Sequence, residues 1–263
     1  MTGPISLVQA LSGIEINHVF NPYRNRCDLH DRHDAPARRR SNLELALTAA
    51  AERQVRTVWI ARDLGYRGGR RTGLPLTDEV HLDSFNALYN GIGLRKATNG
   101  PAMAERTAAI IWQMLRRIMQ PVFFWNVFPL HPHEPGEPMS NRRHTARERQ
   151  VCEGFLYEVL DLLQPTTIIA IGGDAHRAMG RLGIECIYVR HPSYGGQSTF
   201  MRQIEAAYNL SPVGADNPGQ AAFISKSRLH SSISRSVSLL HHEPESSSAW
   251  VDWTVSEPTD SSA

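Results

Sequence analysis

The sequence predicts a three-layer α/β/α domain, in which a central, mainly parallel sheet of four strands lies between two layers of helices. Two observations predict this fold. Four short runs rich in Val, Ile, Phe and Trp have the length and composition of buried strands, and helical patterns lie between them. We expect the strands at residues 57–61, 122–127, 167–171 and 186–189. Strands that alternate with helices form parallel sheets that are covered on both faces.

The helical segments begin and end at sequence signals. Ser41 and Glu44 form a potential capping box, from which we expect a helix to start. Thr145 and Glu148 form a second potential capping box ahead of another apolar helical pattern. A third helical pattern covers residues 108–118 and is expected to stop before the proline that follows.

Composition divides the chain into three parts. We assign residues 40–211 to the domain, residues 1–39 to an N-terminal extension, and residues 212–263 to a serine-rich tail that we expect to be mostly disordered. No apolar stretch approaches the ~20 residues of a membrane span, and the N-terminus lacks a signal-peptide pattern. We therefore expect a soluble cytoplasmic protein that has no membrane partner.

Charge and cysteine content exclude several classes of protein. A net charge of +2 does not suit a protein that coats nucleic acid through charge alone. Lys96 and Lys226 are the only lysines, so chemistry that needs a lysine nucleophile has few sources. The three cysteines lack metal-site spacing, and His131 and His133 lack nearby carboxylates. We expect no metal and no cofactor.

Three loops follow predicted strands at the carboxyl edge of the sheet, where ligands bind in such folds. The first loop carries Asp63 ahead of glycines, which permit close approach to a ligand, and arginines, which suit phosphates. The second carries Asn126, whose amide can recognise a base edge, and the third carries His191, which can donate to a developing anion. Taken singly, these residues fit structural roles as well: a solvated glycine loop, a turn-capping Asn and a structural His.

Taken in this order, the loops resemble the uracil-DNA glycosylase superfamily over roughly residues 40–208. The stretches that carry the resemblance are residues 65–73 (GYRGGRRTG), 126–133 and 189–197, with Ser140-Asn141-Arg142 between the last two. The last two stretches look like a bacterial branch of the superfamily, and the four cysteines of the iron–sulfur branch are absent. The resemblance implies DNA as the partner and hydrolysis of the N-glycosidic bond of a flipped-out base.

The resemblance also implies roles for individual residues. Asp63 would position water and stabilise positive charge on the sugar, Asn126 would recognise the pyrimidine edge, and His191 would stabilise negative charge on O2 of the departing base. Further residues of the base pocket would be Gly65, Tyr66 and Leu76. The DNA contacts would be Arg67, Arg70, Arg71, Arg142, Ser193, Tyr194, Gly195, Gly196 and Gln197.

The first motif departs from the family pattern, because Ala61, Arg62 and Leu64 replace its usual residues. Gly65 stands where the strict uracil enzymes have a tyrosine that excludes a C5 methyl group. Leu76 stands near the position of a phenylalanine that stacks on the base in relatives. These two changes favour an enlarged pocket that accepts a damaged or C5-substituted pyrimidine at least as well as uracil. In the alternative, neighbouring residues such as Tyr66 refill the space.

We therefore predict a monofunctional, monomeric DNA glycosylase that releases uracil or a modified pyrimidine and leaves an abasic site. Its role would be base excision repair or attack on modified foreign DNA. Two alternatives stay open at this point. A non-catalytic DNA-binding module is favoured by Arg62 beside Asp63, since an ion pair could occupy the carboxylate. A nucleotide-dependent α/β enzyme would instead bind nucleoside phosphates without DNA.

Overall fold

The computed structural model describes residues 3–211, which alternate between helices and strands. The helices and strands are, in chain order, α1 (Pro4–Ser12), β1 (Val19–Phe20), α2 (Ala35–Glu52), β2 (Thr57–Asp63), α3 (Gly69–Thr72), a 3-10 helix (Glu79–His81), α4 (Leu82–Leu88), α5 (Arg106–Ile118), β3 (Phe123–Phe128), β4 (His131–Pro132), α6 (Ala146–Leu163), β5 (Thr167–Ile171), α7 (Gly173–Arg181), β6 (Ile187–Val189) and α8 (Gln197–Ala207).

Four parallel strands form the central sheet in the order β3-β2-β5-β6. The predicted fold class is thereby confirmed, with each strand within two residues of its expected bounds. Strand β2 continues beyond the expected end at Ala61, because Asp63 still pairs in register with Phe128 of β3. This extension places Asp63 at the carboxyl edge of the sheet.

Helices cover the sheet and bury its apolar side chains. Helix α6 packs against β3, α7 packs against β5 and β2, and α8 packs against β6. The indole of Trp59 in β2 lies edge-on to the rings of Phe124 and Phe200, inside one continuous core. The capping box of α6 is confirmed, since Thr145 Oγ1 accepts from the Glu148 N–H at 3.2 Å and Glu148 Oε2 accepts from the Thr145 N–H at 2.6 Å.

The helix start that we expected at Ser41 is wrong. The helix begins at Ala35, so Ser41 lies inside it and forms no capping box. The additional turns are anchored by tertiary contacts of Arg39, which is fully buried and forms an ion pair with Asp31. Arg39 also donates to the carbonyls of Arg71, Pro22 and Asn25, and these tertiary contacts override the local capping signal.

The described part of residues 1–39 packs into the same core as the residues that follow. Leu7, Val8 and Leu11 of α1 are fully buried, and α1 contacts α2 and α6. Strand β1 forms an antiparallel pair with β4, so a second, two-stranded sheet joins the N-terminal segment to the region after β3. The tail predicted at residues 212–263 lies outside the described residues. Within residues 3–211, no helix is long and apolar enough to cross a membrane.

Candidate active site

An open cleft of about 440 Å³ lies at the carboxyl ends of β2, β5 and β6. The loop after β2, the turn after β5 and the loop after β6 each contribute to its walls. The cleft brings together part of the residue set expected from the sequence. The expected residues that line it are Asp63, Gly65, Leu76, His191, Ser193 and Tyr194.

Asp63 is held in the cleft through one carboxylate oxygen. Its Oδ2 accepts from Arg62 Nε at 2.9 Å, and it lies 3.3 Å from Nδ1 and 3.4 Å from the backbone N of His144. Among the residues that the structure describes, Oδ1 has no hydrogen-bond partner. The carboxylate is therefore oriented by two neighbours through Oδ2, while Oδ1 is left for a ligand.

His144 was not expected from the sequence to belong to the site. It follows the Ser140-Asn141-Arg142 stretch that contributes to the family resemblance, but it lies 81 residues after Asp63. No periodicity or motif in the sequence connects the two positions. Only the folded chain brings the imidazole of His144 beside the carboxylate.

Arginines surround Asp174 at the rim of the cleft. Asp174 Oδ1 accepts from Arg177 Nη2 at 2.6 Å and forms an ion pair with Arg143 Nη2 at 2.6 Å, and Oδ2 lies 3.4 Å from Arg62 Nη1. Although burial opposes ionisation, the hydrogen bond from Arg177 and the charges of Arg143 and Arg62 lower the pKa of Asp174. The exposed Arg190 also lines the cleft. The rim therefore carries more positive than negative charge, which suits an anionic ligand.

His191 is arranged as a neutral hydrogen-bond donor. Its Nδ1 accepts from the backbone N–H of Ser193 at 3.2 Å and lies 2.7 Å from Ser193 Oγ. Because Nδ1 is an acceptor, the ring proton of the neutral imidazole lies on Nε2. Burial, together with the charges of Arg62 and Arg190, lowers the pKa of His191 to about 4. The imidazole is thus uncharged near neutral pH.

Two glycines allow the close packing of His191. A Cβ on Gly172, which has φ +87°, would lie 3.1 Å from Cβ of His191. A Cβ on Gly196 would collide with the backbone carbonyl of His191. The loop after β6 can therefore fold tightly over the end of β5.

The segment that follows His191 forms a tight turn at the cleft mouth. The N–H of Gly196 donates to the carbonyl of Ser193 at 3.0 Å, and both central residues, Tyr194 and Gly195, have positive φ values of 49° and 76°. This is the pattern of a type I′ turn. The turn directs Tyr194 outward, where 97% of the residue is exposed. Gln197 begins helix α8 directly after it.

Leu76 lines the cleft in a strained backbone conformation. Its φ of 54° lies in the left-handed region, which a branched side chain rarely adopts. Hydrogen bonds on both sides hold it, since Thr72 Oγ1 donates to the Thr77 carbonyl at 2.8 Å and Thr77 Oγ1 donates to the Pro75 carbonyl at 3.1 Å. Such strain concentrates at ligand sites, which supports a functional role for the cleft.

Glu105 occupies the space beside Gly65, and sequence reasoning missed it. A Cβ on Gly65 would lie 2.7 Å from Glu105 Oε1, and a Cβ on Gly68 would collide with Oε2. The Glu105 N–H donates to Asp78 Oδ2 at 2.6 Å, which fixes the start of α5. Burial, reinforced by the charge of Asp78, raises the pKa of Glu105 to about 7. The space left by Gly65 is therefore filled by a carboxyl group and not by Tyr66.

Several expected site residues lie away from the cleft. Asn126 is 1% exposed and does not line the cleft, although its register neighbour Ala61 does. The backbone N–H of Tyr66 donates to Asn141 Oδ1 at 3.0 Å, and Tyr66 does not line the cleft either. Arg67 is exposed and donates to the Tyr66 hydroxyl at 2.9 Å, so it stays accessible to a phosphate.

Three expected DNA contacts are engaged inside the protein, and we withdraw them as phosphate contacts. Arg70 is 2% exposed, lies over the Phe20 ring and donates to the Pro138 carbonyl. Arg71 is 7% exposed and pairs with Glu79 at 3.1 Å. Arg142 donates to both carboxylate oxygens of Glu148, at 2.6 and 2.9 Å. Each guanidinium is engaged by partners that the sequence does not reveal, although Nε of Arg70 and Nε of Arg71 have no hydrogen-bond partner among the described residues.

The comparisons with known proteins bear on the family and the fold of the chain. The family model described as "Uracil DNA glycosylase superfamily" matches residues 51–210. Among solved structures, the chain is similar to wild-type SMUG2 from Pedobacter heparinus, with a TM-score of 0.53 and 15% sequence identity. That match covers 80% of this chain and 97% of the other, and it supports the fold. No curated protein sequence matches the chain.

Proposed function

The chain belongs to the uracil-DNA glycosylase superfamily, and we propose that it is a monofunctional DNA glycosylase that hydrolyses the bond between a flipped-out pyrimidine and its deoxyribose. One observation carries the proposal. Asp63, the last residue of β2, and His191, from the loop after β6, line the same cleft. The product would be an abasic site. We propose that the enzyme acts as a monomer in the cytoplasm, in base excision repair or against modified foreign DNA.

The two side chains supply the charges that this reaction needs. Cleavage of an N-glycosidic bond creates positive charge on the sugar and negative charge on the leaving base. The free Oδ1 of Asp63 would stabilise the sugar and orient the attacking water, while Arg62 and His144 hold Oδ2. The Nε2–H of His191 would donate to O2 of the base. Preorganised groups of this kind are commonly the largest contribution to catalysis.

The rim of the cleft suits a DNA backbone and a displaced base. Arg143, Arg177 and Arg190 are exposed around the mouth and are candidates for phosphate contacts. Flipping a base out of the duplex costs a few kcal/mol. The exposed ring of Tyr194, held outward by its turn, would offset part of that cost by stacking in the vacated position.

A monofunctional mechanism is supported by the surroundings of Lys96. Its ammonium lies 3.1, 3.3 and 2.6 Å from the carbonyl oxygens of Thr98, Asn99 and Gly100, and it does not line the cleft. An amine engaged in this way is a poor nucleophile for a Schiff base with the sugar. Lys226 lies outside the described residues. Borohydride trapping of a covalent DNA adduct at either lysine would contradict this part of the proposal.

A second candidate, a non-catalytic DNA-binding module, is favoured by the contact between Arg62 Nε and Asp63 Oδ2. If this ion pair disabled the carboxylate, the scaffold would bind DNA without hydrolysis. The free Oδ1 argues for the enzyme, since the ion pair occupies only one of the two oxygens.

The deciding experiment measures abasic-site formation. Duplex and single-stranded oligonucleotides that carry uracil, thymine or hydroxymethylated pyrimidines in one sequence context are incubated with excess protein, and abasic sites are cleaved with alkali. We expect release of at least one base by the wild-type protein and almost none by Asp63→Asn. DNA binding without release from any substrate would favour the second candidate.

A further inference from the structure

Glu105 is an ionisable group in the cleft that the proposed reaction does not use. Its carboxyl group lines the cleft beside Gly65 and Gly68. Glu105 is the N-cap residue of α5, but its side chain forms no capping hydrogen bond, and within residues 3–211 the carboxyl group has no hydrogen-bond or ion-pair partner. A partly buried carboxyl group without a protein partner must be satisfied by water or by a ligand.

The position of Glu105 relative to His191 indicates which part of a base would meet it. His191 reaches the cleft from the loop after β6, whereas the Glu105 carboxyl lies over the loop after β2. Strand β5 separates β2 from β6, so the two loops leave the sheet two strand spacings of about 4.8 Å apart. In a pyrimidine ring, C5 lies directly across from C2. A base that lies across the cleft between the two loops, with its O2 at His191, would present its C4–C5 edge toward Glu105.

We propose that Glu105 is a specificity-determining residue, which accepts a hydrogen bond from a donor on the C4–C5 edge of the flipped pyrimidine. The donor is an amino group at C4 or a hydroxyl group on a C5 substituent. This inference rests on the proposed function, and it names the class of base that the cleft prefers. It also replaces the expectation that Gly65 leaves empty room at C5, since a polar group now occupies that room.

The protonation of Glu105 makes the preference depend on pH. The charged groups around its carboxyl are Asp78, which raises its pKa, and Arg67, which lowers it; His81 in turn contacts Asp78 Oδ1 at 2.6 Å. The pKa of about 7 means that the carboxyl is mainly protonated at pH 6 and mainly ionised at pH 8. The protonated form can donate to O4 of uracil, whereas the ionised form repels O4 and only accepts. Preference for a donor-bearing base should therefore rise with pH.

The test compares rates of single-turnover release within two matched pairs of bases at pH 6 and pH 8. The ratio of 5-hydroxymethyluracil to uracil isolates a hydroxyl donor, and the ratio of cytosine to uracil isolates an amino donor. In the wild-type protein we expect at least one ratio to rise roughly tenfold between the two pH values, as a hydrogen bond to a charged group is gained. The ratio that changes with pH identifies whether the donor is a hydroxyl group or an amino group.

Glu105→Gln keeps the shape of the side chain but cannot ionise, so it should abolish the pH dependence of that ratio. Glu52→Gln is the matched control. Glu52 is exposed and is the last residue of α2, just before β2 begins, so it lies away from the carboxyl ends of the strands that form the cleft. Gly65→Ala provides a second variant, since its Cβ would displace the Glu105 carboxyl without removing it. If Glu105→Gln fails to fold, Gly65→Ala and the pH profile of the wild-type protein test whether Glu105 determines specificity.

The outcomes separate this inference from the proposed function. An unchanged ratio and pH dependence in Glu105→Gln, with active wild-type protein, would overturn the role of Glu105 alone and would assign base recognition to other residues of the cleft. If the wild-type protein releases no base, the proposed function fails. Equilibrium binding of the same oligonucleotides then tests the role of Glu105 in recognition. For the inference to stand, Glu105→Gln must lower the affinity for DNA with a donor-bearing base, relative to DNA with uracil, by several-fold.

Discussion

Two groups of arginines, one inside the protein and one at the rim of the cleft, look alike in the sequence and differ in the structure. The interior group consists of Arg39, Arg70 and Arg71, which are 0%, 2% and 7% exposed. The rim group consists of Arg62, Arg143 and Arg177, whose side chains are 37%, 57% and 59% exposed. Arg70 and Arg71 lie in the same glycine-rich loop that follows Asp63, yet they point away from the cleft that this loop forms.

The difference lies in the partners that the fold supplies. Each interior arginine meets an acid, a carbonyl or an aromatic ring that is buried with it, such as Asp31 for Arg39 and Glu79 for Arg71. The rim arginines share Asp174, which is itself partly exposed, and so they keep donors for a ligand. A glycine-rich loop with several arginines is thus no sign of a phosphate site until the buried acids are known. Variants in the two groups should affect different quantities.

The largest effect is expected for Arg39→Met, which leaves Asp31 buried without its partner. We expect the free energy of unfolding to fall by about 3–5 kcal/mol, because an uncompensated buried charge is strongly destabilising. Urea denaturation measures the loss. The control is Arg24→Met, whose partner Glu15 is exposed, and which should cost less than about 1 kcal/mol. Equal losses in both variants would show that burial of an ion pair does not decide its contribution to stability.

Asp63→Asn tests the other side of the comparison, since it changes the cleft while keeping its shape. We expect the rate of base release to fall about 1,000-fold, equivalent to about 4 kcal/mol of transition-state stabilisation. DNA affinity and the denaturation midpoint should stay near the wild-type values. A near-normal rate in single-turnover experiments would show that Asp63 is not the catalytic carboxylate.

His191→Ala should lower the rate of base release by roughly 100- to 1,000-fold, as expected for the loss of one preorganised donor. Affinity for DNA should change much less, because the neutral imidazole carries no charge for the phosphates. Rates and dissociation constants measured side by side distinguish the two roles. Weaker binding with unchanged chemistry would reassign His191 to DNA binding.

The smallest effect is expected for Arg143→Ala at the rim. Binding should weaken by about the same factor for every sequence, and the slope of log affinity against log salt should decrease by about one phosphate contact. Salt titrations of DNA binding measure both quantities. Arg24→Ala is the control for a charge at an exposed ion pair elsewhere, and a loss of slope in that variant would mean that binding follows net charge and not the rim.

The parts of the molecule that could be predicted are those coded by neighbouring residues. Runs of apolar residues predicted the strands, and the position of Asp63 and His191 after strands predicted that they share an edge of the sheet. The capping box at Thr145 depends on residues within one helical turn. Such signals are local, and the parallel sheet then brings the strand ends together.

The parts that could not be predicted depend on contacts between distant residues. Glu105 enters the cleft because α5 starts against Asp78, and His144 reaches Asp63 across 81 positions. The burial of Arg71 depends on Glu79 and Thr98, which are unremarkable in the sequence. Each of these contacts is specified by packing in three dimensions, for which the sequence contains no pattern of fixed period.

The pairing of β1 with β4 has a consequence for gene fusion and recombination. The carbonyl of His18, next to β1, accepts from the backbone N–H of His133 at 3.0 Å and from Arg142 Nη2 at 3.2 Å. Arg142 lies two positions before His144, which contacts Asp63. The N-terminal segment therefore stabilises the loop whose His144 contacts the Asp63 carboxylate, although the family model matches only from residue 51 onward. We therefore expect a recombinant gene that replaces this segment to give a protein with a lower rate of base release, although no residue of the cleft is changed.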